Sequence, residues 1–108
     1  AYNANPSSMK AMICSFANQN YDNGLLILGD MLELGEYSIN EHNLIISICK
    51  KLKLNFILVG KEFSKVHKDS LEGVEELCEF IKKNPINNKT ILIKGSRGVS
   101  LELIVPFL

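Results

Sequence analysis

No G-x-x-x-x-G-K-[ST] phosphate loop occurs in the sequence, and no G-x-G-x-x-G turn follows a strand-like run. Whatever nucleotide this domain meets is therefore not cradled by either device. Charge of one sign is not in excess, since Lys+Arg and Asp+Glu number 12 each. A general nucleic-acid or membrane-surface binder carries a basic surplus, so neither partner is expected, although a local basic pocket remains open. No apolar run approaches the ~18 residues that a membrane helix needs, and the opening residues do not read as a secretory leader. Cysteine is sparse: Cys14, Cys49 and Cys78 are far apart, odd in number and form no C-x-x-C pair. They fall on apolar helix faces in the reading below and are expected as buried free thiols of a reducing cytoplasm. No His/Cys/Asp cluster has metal-ligand spacing, so no metal site is expected. A Ser-His-Asp arrangement is also missing.

What is present suits one folded domain. The chain has 108 residues, of which 46% are hydrophobic, enough for a core of its own. Three short apolar runs stand out: Leu25–Leu28, Phe56–Val59 and Ile91–Ile93, each followed by glycine at Gly29, Gly60 or Gly95. Continuous rather than alternating runs suit strands buried on both faces, as in a parallel sheet. Helical patterns lie between them. Asn5-Pro6 reads as an N-cap with proline at the first helical position, and Met9, Met12, Ile13 and Phe16 follow at helical spacing. Ser38 and Glu41 read as a capping box ahead of a stripe of Leu44, Ile45, Ile48 and Leu52. A short helix is expected over 61–66. Asp69 and Glu72 read as a cap before Leu71, Val74, Leu77, Cys78 and Ile81, and residues 101–108 as a last helix limited by Pro106. Residues 66–68 are open to a short edge strand. The order α-β-α-β-α-α-β-α predicts a three-layer α/β domain with a mostly parallel sheet and helices on both faces.

In such sheets ligands bind outside the carboxyl ends of the strands. Four segments should meet there: 2–6, leading into the first helix, 29–36, 60–62 and 94–98. Lys94 and Arg97 bring positive charge, Ser96 a hydroxyl, and Gly95 and Gly98 room for close backbone approach. That loop suits a carboxylate or a phosphate, and equally an ordinary strand-to-helix turn. The acidic loop after the first strand suits an ammonium, a ribose hydroxyl or a metal-bound water, or is a solvated turn with Leu32 and Leu34 packed inward. His42, in the first turn of the following helix, either donates a hydrogen bond that fixes this loop or is exposed. His67 is expected in solvent.

Three motifs in order and spacing carry a resemblance. Tyr2-Asn3-Ala4-Asn5-Pro6-Ser7-Ser8-Met9-Lys10-Ala11, then Leu28-Gly29-Asp30-Met31-Leu32-Glu33-Leu34-Gly35 with His42 following, then Ile93-Lys94-Gly95-Ser96-Arg97-Gly98 resemble the Rossmann-like C-terminal domain of the Mur ligase family, in its MurF branch. The likeness covers essentially the whole chain. It implies an ATP-dependent amide ligase of peptidoglycan synthesis, in which the carboxylate of UDP-N-acetylmuramoyl-tripeptide is activated by phosphorylation and attacked by the amine of D-alanyl-D-alanine. ATP and Mg²⁺ would be bound mainly by a central domain, the UDP-substrate by an N-terminal one. The C-terminal domain would close over the ATP site and help bind the dipeptide, excluding water. Carried over by position, Tyr2, Asn3 and Asn5 lie on the ATP side. Asp30, Met31, Glu33, Leu34, Lys94, Ser96 and Arg97 lie on the dipeptide side, and no catalytic residue is expected within this domain.

The family carries an aspartate on a strand just ahead of the Tyr-Asn-Ala-Asn-Pro motif. The sequence begins at Ala1, so the expectation is a sheet short of one central or near-central strand. The competing reading is a stand-alone Rossmann-type module for a nucleotide or phosphorylated metabolite. A receiver-like domain fits poorly, because the second strand ends in Gly60-Lys61 where an acidic residue would be wanted.

Overall fold

The computed structural model describes residues 4–96 and 99–108. Their element order is α1 (Pro6–Asn18), β1 (Gly24–Gly29), a 3-10 turn (Gly35–Tyr37), α2 (Ser38–Lys51), β2 (Phe56–Val59), α3 (Lys61–Val66), α4 (Val74–Lys83), β3 (Thr90–Lys94) and a closing 3-10 helix (Leu101–Phe107). The three strands form one parallel sheet in the order β2-β1-β3, with Leu26 opposite Phe56 and Gly24 opposite Thr90.

Alternation along the strands divides the core in two. Leu26, Leu28 and Leu58 face Met9 and Ile13 of α1, Ile45, Ile46 and Cys49 of α2, and Phe63 of α3. Ile27 and Val59 face Leu77 and Ile81 of α4, and Leu101 and Ile104 of the closing helix. Helices thus cover both faces, as the continuous apolar strands require. Each fully buried aliphatic side chain contributes roughly 1.5–3 kcal/mol. The exposed pair Lys82–Glu79 contributes about 1 kcal/mol at most, so the two cores, not surface ion pairs, hold the layers together.

Local signals explain most boundaries. Asn5 caps α1: its side chain accepts the Ser8 N–H (2.9 Å), and the Ser8 hydroxyl accepts the Asn5 N–H (3.1 Å). Other expectations are corrected. Ser38 and Glu41 do not form a capping box, because the 3-10 turn runs straight into α2 and Ser38 already has helical angles. A capping residue needs an extended backbone. The buried face of α2 is Ser38, His42, Ile45, Ile46 and Cys49, which leaves Leu44 and Leu52 exposed. Asp69 does not cap α4; that helix starts after the extended Gly73, and Glu76 reaches back to accept the Glu72 N–H. The expected edge strand at 66–68 is displaced. Val66 ends α3, and a single parallel bridge joins Leu71 to Val59 instead. Of the three thiols expected to be buried, Cys49 is buried, whereas Cys78 is half-buried and Cys14 exposed. His67 is half-buried, its ring 6.0 Å from that of Phe56.

Candidate functional site

The parallel sheet brings the ends of β1, β2 and β3 to one edge, and hydrogen bonds knit the loops there. Asp30 directly follows β1 and is buried. Its carboxylate accepts the backbone N–H groups of Glu62 (2.9 Å) and Phe63 (3.0 Å), capping the start of α3 from another segment of chain. Gly60 makes this possible. Its φ of +131° is open to glycine, and a Cβ there would overlap the Asp30 carboxylate. The Asp30 C=O accepts the Ser96 N–H (2.9 Å). The Ser96 hydroxyl accepts the Leu32 N–H (2.9 Å) and donates to the Ala4 C=O (3.3 Å). All four segments expected at this edge therefore contribute to it through Ala4, Asp30 to Leu32, Gly60 to Phe63 and Ser96.

A second set of bonds lies beneath the loop after β1. His42 is fully buried on α2. Its Nδ1 lies 2.7 Å from the Ser38 C=O, which only accepts, so Nδ1 carries a proton. Its Nε2 lies 3.1 Å from the Met31 N–H, which only donates, so Nε2 is the acceptor. The expected hydrogen bond between His42 and the loop exists with its direction reversed. The ring also meets Phe63 edge-on at 4.5 Å, and Nε2 is 4.0 Å from Asp30 Oδ1. The Ser38 hydroxyl, 3.2 Å from Nδ1, donates to Glu62 (2.5 Å). Glu62 also accepts from Lys65 (2.8 Å). The Lys65 and Ser38 hydrogen bonds hold the Glu62 carboxyl below its usual range. Burial pushes the Cys49 thiol up to about 12.

The site residues read from sequence sort by exposure. Glu33 stands in solvent at φ +64°, beside exposed Leu32 and half-buried Leu34. Asn5 is exposed at the start of α1. Asp30, Met31, Lys94 and Ser96 are buried. Gly95 does not open toward a ligand, as its sequence reading had it. A Cβ there would come within 2.9 Å of the Gly29 Cα and of a Leu101 methyl, so the space serves packing between β1 and β3. Tyr2, Asn3, Arg97 and Gly98 lie outside the described residues.

Between this edge, α4 and the closing helix runs a cleft of about 650 Å³. Leu32, Val74, Val99 and Leu103 line it together with Lys61, Glu62, Glu72, Glu75 and Glu76. Sequence reasoning did not assign Glu72, Glu75 and Glu76 to the edge, because their place depends on how α4 docks. Ser38 was likewise unassigned, whereas Glu62 lay within the expected segment 60–62; a polar Ser38-x-x-x-His42 pair at the head of an otherwise apolar helix face was the available signal for Ser38. Among the described residues no three His, Cys, Asp or Glu side chains converge to hold a metal ion. Among them, too, no helix is long and apolar enough to cross a membrane.

No family model matches the chain. Individual proteins do. Over 97% of its length it is 35% identical to the UDP-N-acetylmuramoyl-tripeptide–D-alanyl-D-alanine ligase of Bacillus subtilis, covering 26% of that protein. The ligase of the same name from Rickettsia prowazekii is 36% identical over 98% of the chain, again covering 26% of its own length. Among solved structures, MurF from Acinetobacter baumannii superimposes with a TM-score of 0.74 at 27% identity, over 98% of this chain and 26% of that one. The chain thus spans about a quarter of the length of the proteins it matches.

Proposed function

We propose that this chain, which matches the C-terminal region of the MurF ligases along nearly its whole length, serves as the C-terminal domain of such an enzyme. The longer polypeptide would add D-alanyl-D-alanine to UDP-N-acetylmuramoyl-tripeptide in the cytoplasm, at the expense of ATP. The observation that carries the proposal is the agreement over 97% of the chain with a ligase of that name. The convergence of the resembling motifs, through Ala4, Asp30 to Leu32 and Ser96, on one sheet edge supports it.

On this reading the domain works as a closing half-site. Tyr2, Asn3 and Asn5 face ATP and Glu33, Leu34, Lys94 and Arg97 face the dipeptide, while buried Ser96, whose hydroxyl is bonded to Leu32 and Ala4, holds the loop. Asp30 and Met31 contribute through the loop they hold, since the side chain of one caps α3 and that of the other is buried in the core. Mg²⁺ and the phosphates would sit on the rest of the polypeptide. ATP supplies the activation of the tripeptide carboxylate. The C-terminal domain supplies orientation of the incoming amine and exclusion of water from a hydrolysable acyl phosphate.

Purified full-length enzyme should ligate D-alanyl-D-alanine to the UDP-linked tripeptide with ATP, whereas the 108-residue chain alone should not. Turnover by the isolated chain would overturn the half-site account. A guanidinium pairs bidentately with a carboxylate, so Arg97→Ala in the full-length enzyme should raise the KM for D-alanyl-D-alanine at least severalfold. Unchanged KM and kcat would remove Arg97 from the site.

A further inference from the structure

We propose that His42 is the positioning residue of the loop that follows β1, acting as a neutral imidazole whose Nε2 accepts the Met31 N–H and so sets where Leu32, Glu33 and Leu34 stand at the ligand edge. The inference rests on the ligase reading above for what the loop presents, and on geometry alone for how it is held.

The hydrogen-bond chain has one consistent direction. Glu62 accepts from the Ser38 hydroxyl, leaving the Ser38 oxygen to accept from His42 Nδ1–H beside the 2.7 Å bond to the Ser38 C=O. With the proton fixed on Nδ1, the Nε2 lone pair faces the Met31 N–H at 3.1 Å. An imidazolium, or the opposite tautomer, would set N–H against N–H there. Phe63 closes one side of the ring edge-on, and the ring is entirely buried, so water cannot replace the lost acceptor. The Met31 side chain is itself fully buried in the core cluster that holds Ile45, Ile46 and Cys49 of α2, and its backbone N–H adds a directed bond to the same helix. One residue further on, the Leu32 N–H is held by Ser96. Beyond it comes Glu33 at φ +64°, a conformation that non-glycine residues keep only when their neighbours determine it. Two successive N–H groups are thus pinned by buried acceptors on different elements, and the exposed part of the loop starts where the pins end. His42 does not line the cleft, so its influence on a ligand passes through Met31.

The test uses the full-length ligase with three forms of this position: wild type, His42→Gln and His42→Leu. Gln can place its Oε1 where Nε2 was and still accept from Met31; Leu fills the volume with no acceptor. His42→Leu should raise the KM for D-alanyl-D-alanine about tenfold, the equivalent of one buried backbone donor left unpaired, with the KM for ATP within about twofold. His42→Gln should recover most of the loss. An unchanged dipeptide KM in His42→Leu, an equal rise in both KM values, or a Gln variant no better than Leu would each overturn the proposal. Should the Leu variant not fold, the ¹⁵N shifts of His42 in the wild-type enzyme decide. A protonated Nδ1 with a bare Nε2 supports it, and a protonated Nε2 overturns it. That measurement is independent of turnover. A wild-type enzyme that ligates nothing would indict the ligase reading and leave the tautomer result standing.

Discussion

Asp30→Asn separates two jobs that the same residue could have. A carboxylate next to a ligand edge invites a role in recognition, yet here both oxygens are spent on the Glu62 and Phe63 N–H groups at 2.9 and 3.0 Å. Asparagine keeps the shape but has one oxygen for two donors. Its amide NH₂ must face an N–H inside a buried site. Hydrogen bonds to charged groups contribute about 1.5–3 kcal/mol each, and loss of the charge at the start of α3 adds roughly 0.3–1 kcal/mol. The expected destabilisation is therefore about 2–4 kcal/mol. Gly60 tightens the case, because the backbone beneath the carboxylate leaves no room for the amide to tilt away from the clash. Urea unfolding of the wild-type and variant chains, followed by far-ultraviolet circular dichroism, should show the midpoint shift at unchanged slope. Asp30→Ala should cost no less. A change below about 0.5 kcal/mol, the range of ordinary surface substitutions, would refute the capping argument and return Asp30 to the ligand.

Three further outcomes follow from the same geometry. Gly60→Ala should destabilise by about 3 kcal/mol or more, because it combines an unfavourable φ with displacement of the Asp30 carboxylate; a variant of near wild-type stability in the same urea assay would contradict both. Glu62 has its folded-state pKa lowered by Lys65 and then Ser38. Its contribution is therefore present above the unfolded glutamate value and is lost as pH falls through the lower folded value. Glu62→Gln should accordingly flatten the acid limb of the stability curve below about pH 4.5, and an unchanged acid limb would contradict the assignment. At pH 8 a thiol reagent should modify exposed Cys14 rapidly and Cys49 only on unfolding, since burial holds the Cys49 thiol near 12. Mass mapping that found Cys49 labelled in the folded chain would count against its place in the core.

The layers were legible because they follow from apolar spacing that local physics enforces. Leu25–Leu28, Phe56–Val59 and Ile91–Ile93 could bury themselves only as a sheet covered on both faces, and they do. Asn5-Pro6 announced α1 through a cap formed by near neighbours in sequence. Failures came where a long-range partner outbid a local one. Ser38 carries capping chemistry but meets Glu62 and His42 instead. His42 looked like a polar residue at a helix start, and only the position of Met31, 11 residues earlier, turns it into a core acceptor. The α2 stripe was misjudged for the same reason: counting only apolar residues drew it through Leu44 and Leu52, whereas the true face is headed by Ser38 and His42.

The candidate site has the same character. Residue types at the strand ends suggested groups aimed at a ligand, but much of that polar chemistry is consumed in fastening one loop to another. The Asp30 carboxylate serves α3, the Ser96 hydroxyl serves Leu32 and Ala4, and the room at Gly95 serves Gly29 and Leu101. The spacing within such a motif is set by its members, which are one another's ligands, even if few of their side chains ever touch substrate. On the proposed ligase reading, direct recognition by the described residues falls to what lies beyond the fastened part: Leu32 and Glu33 at the loop crest, half-buried Leu34 beside them, Asn5 at the head of α1, and the walls of the cleft from Lys61 to Leu103. Substitutions should divide accordingly. Changes at the fastening residues should lower stability and dipeptide affinity together, while changes at the crest should alter affinity with stability within about 0.5 kcal/mol of wild type.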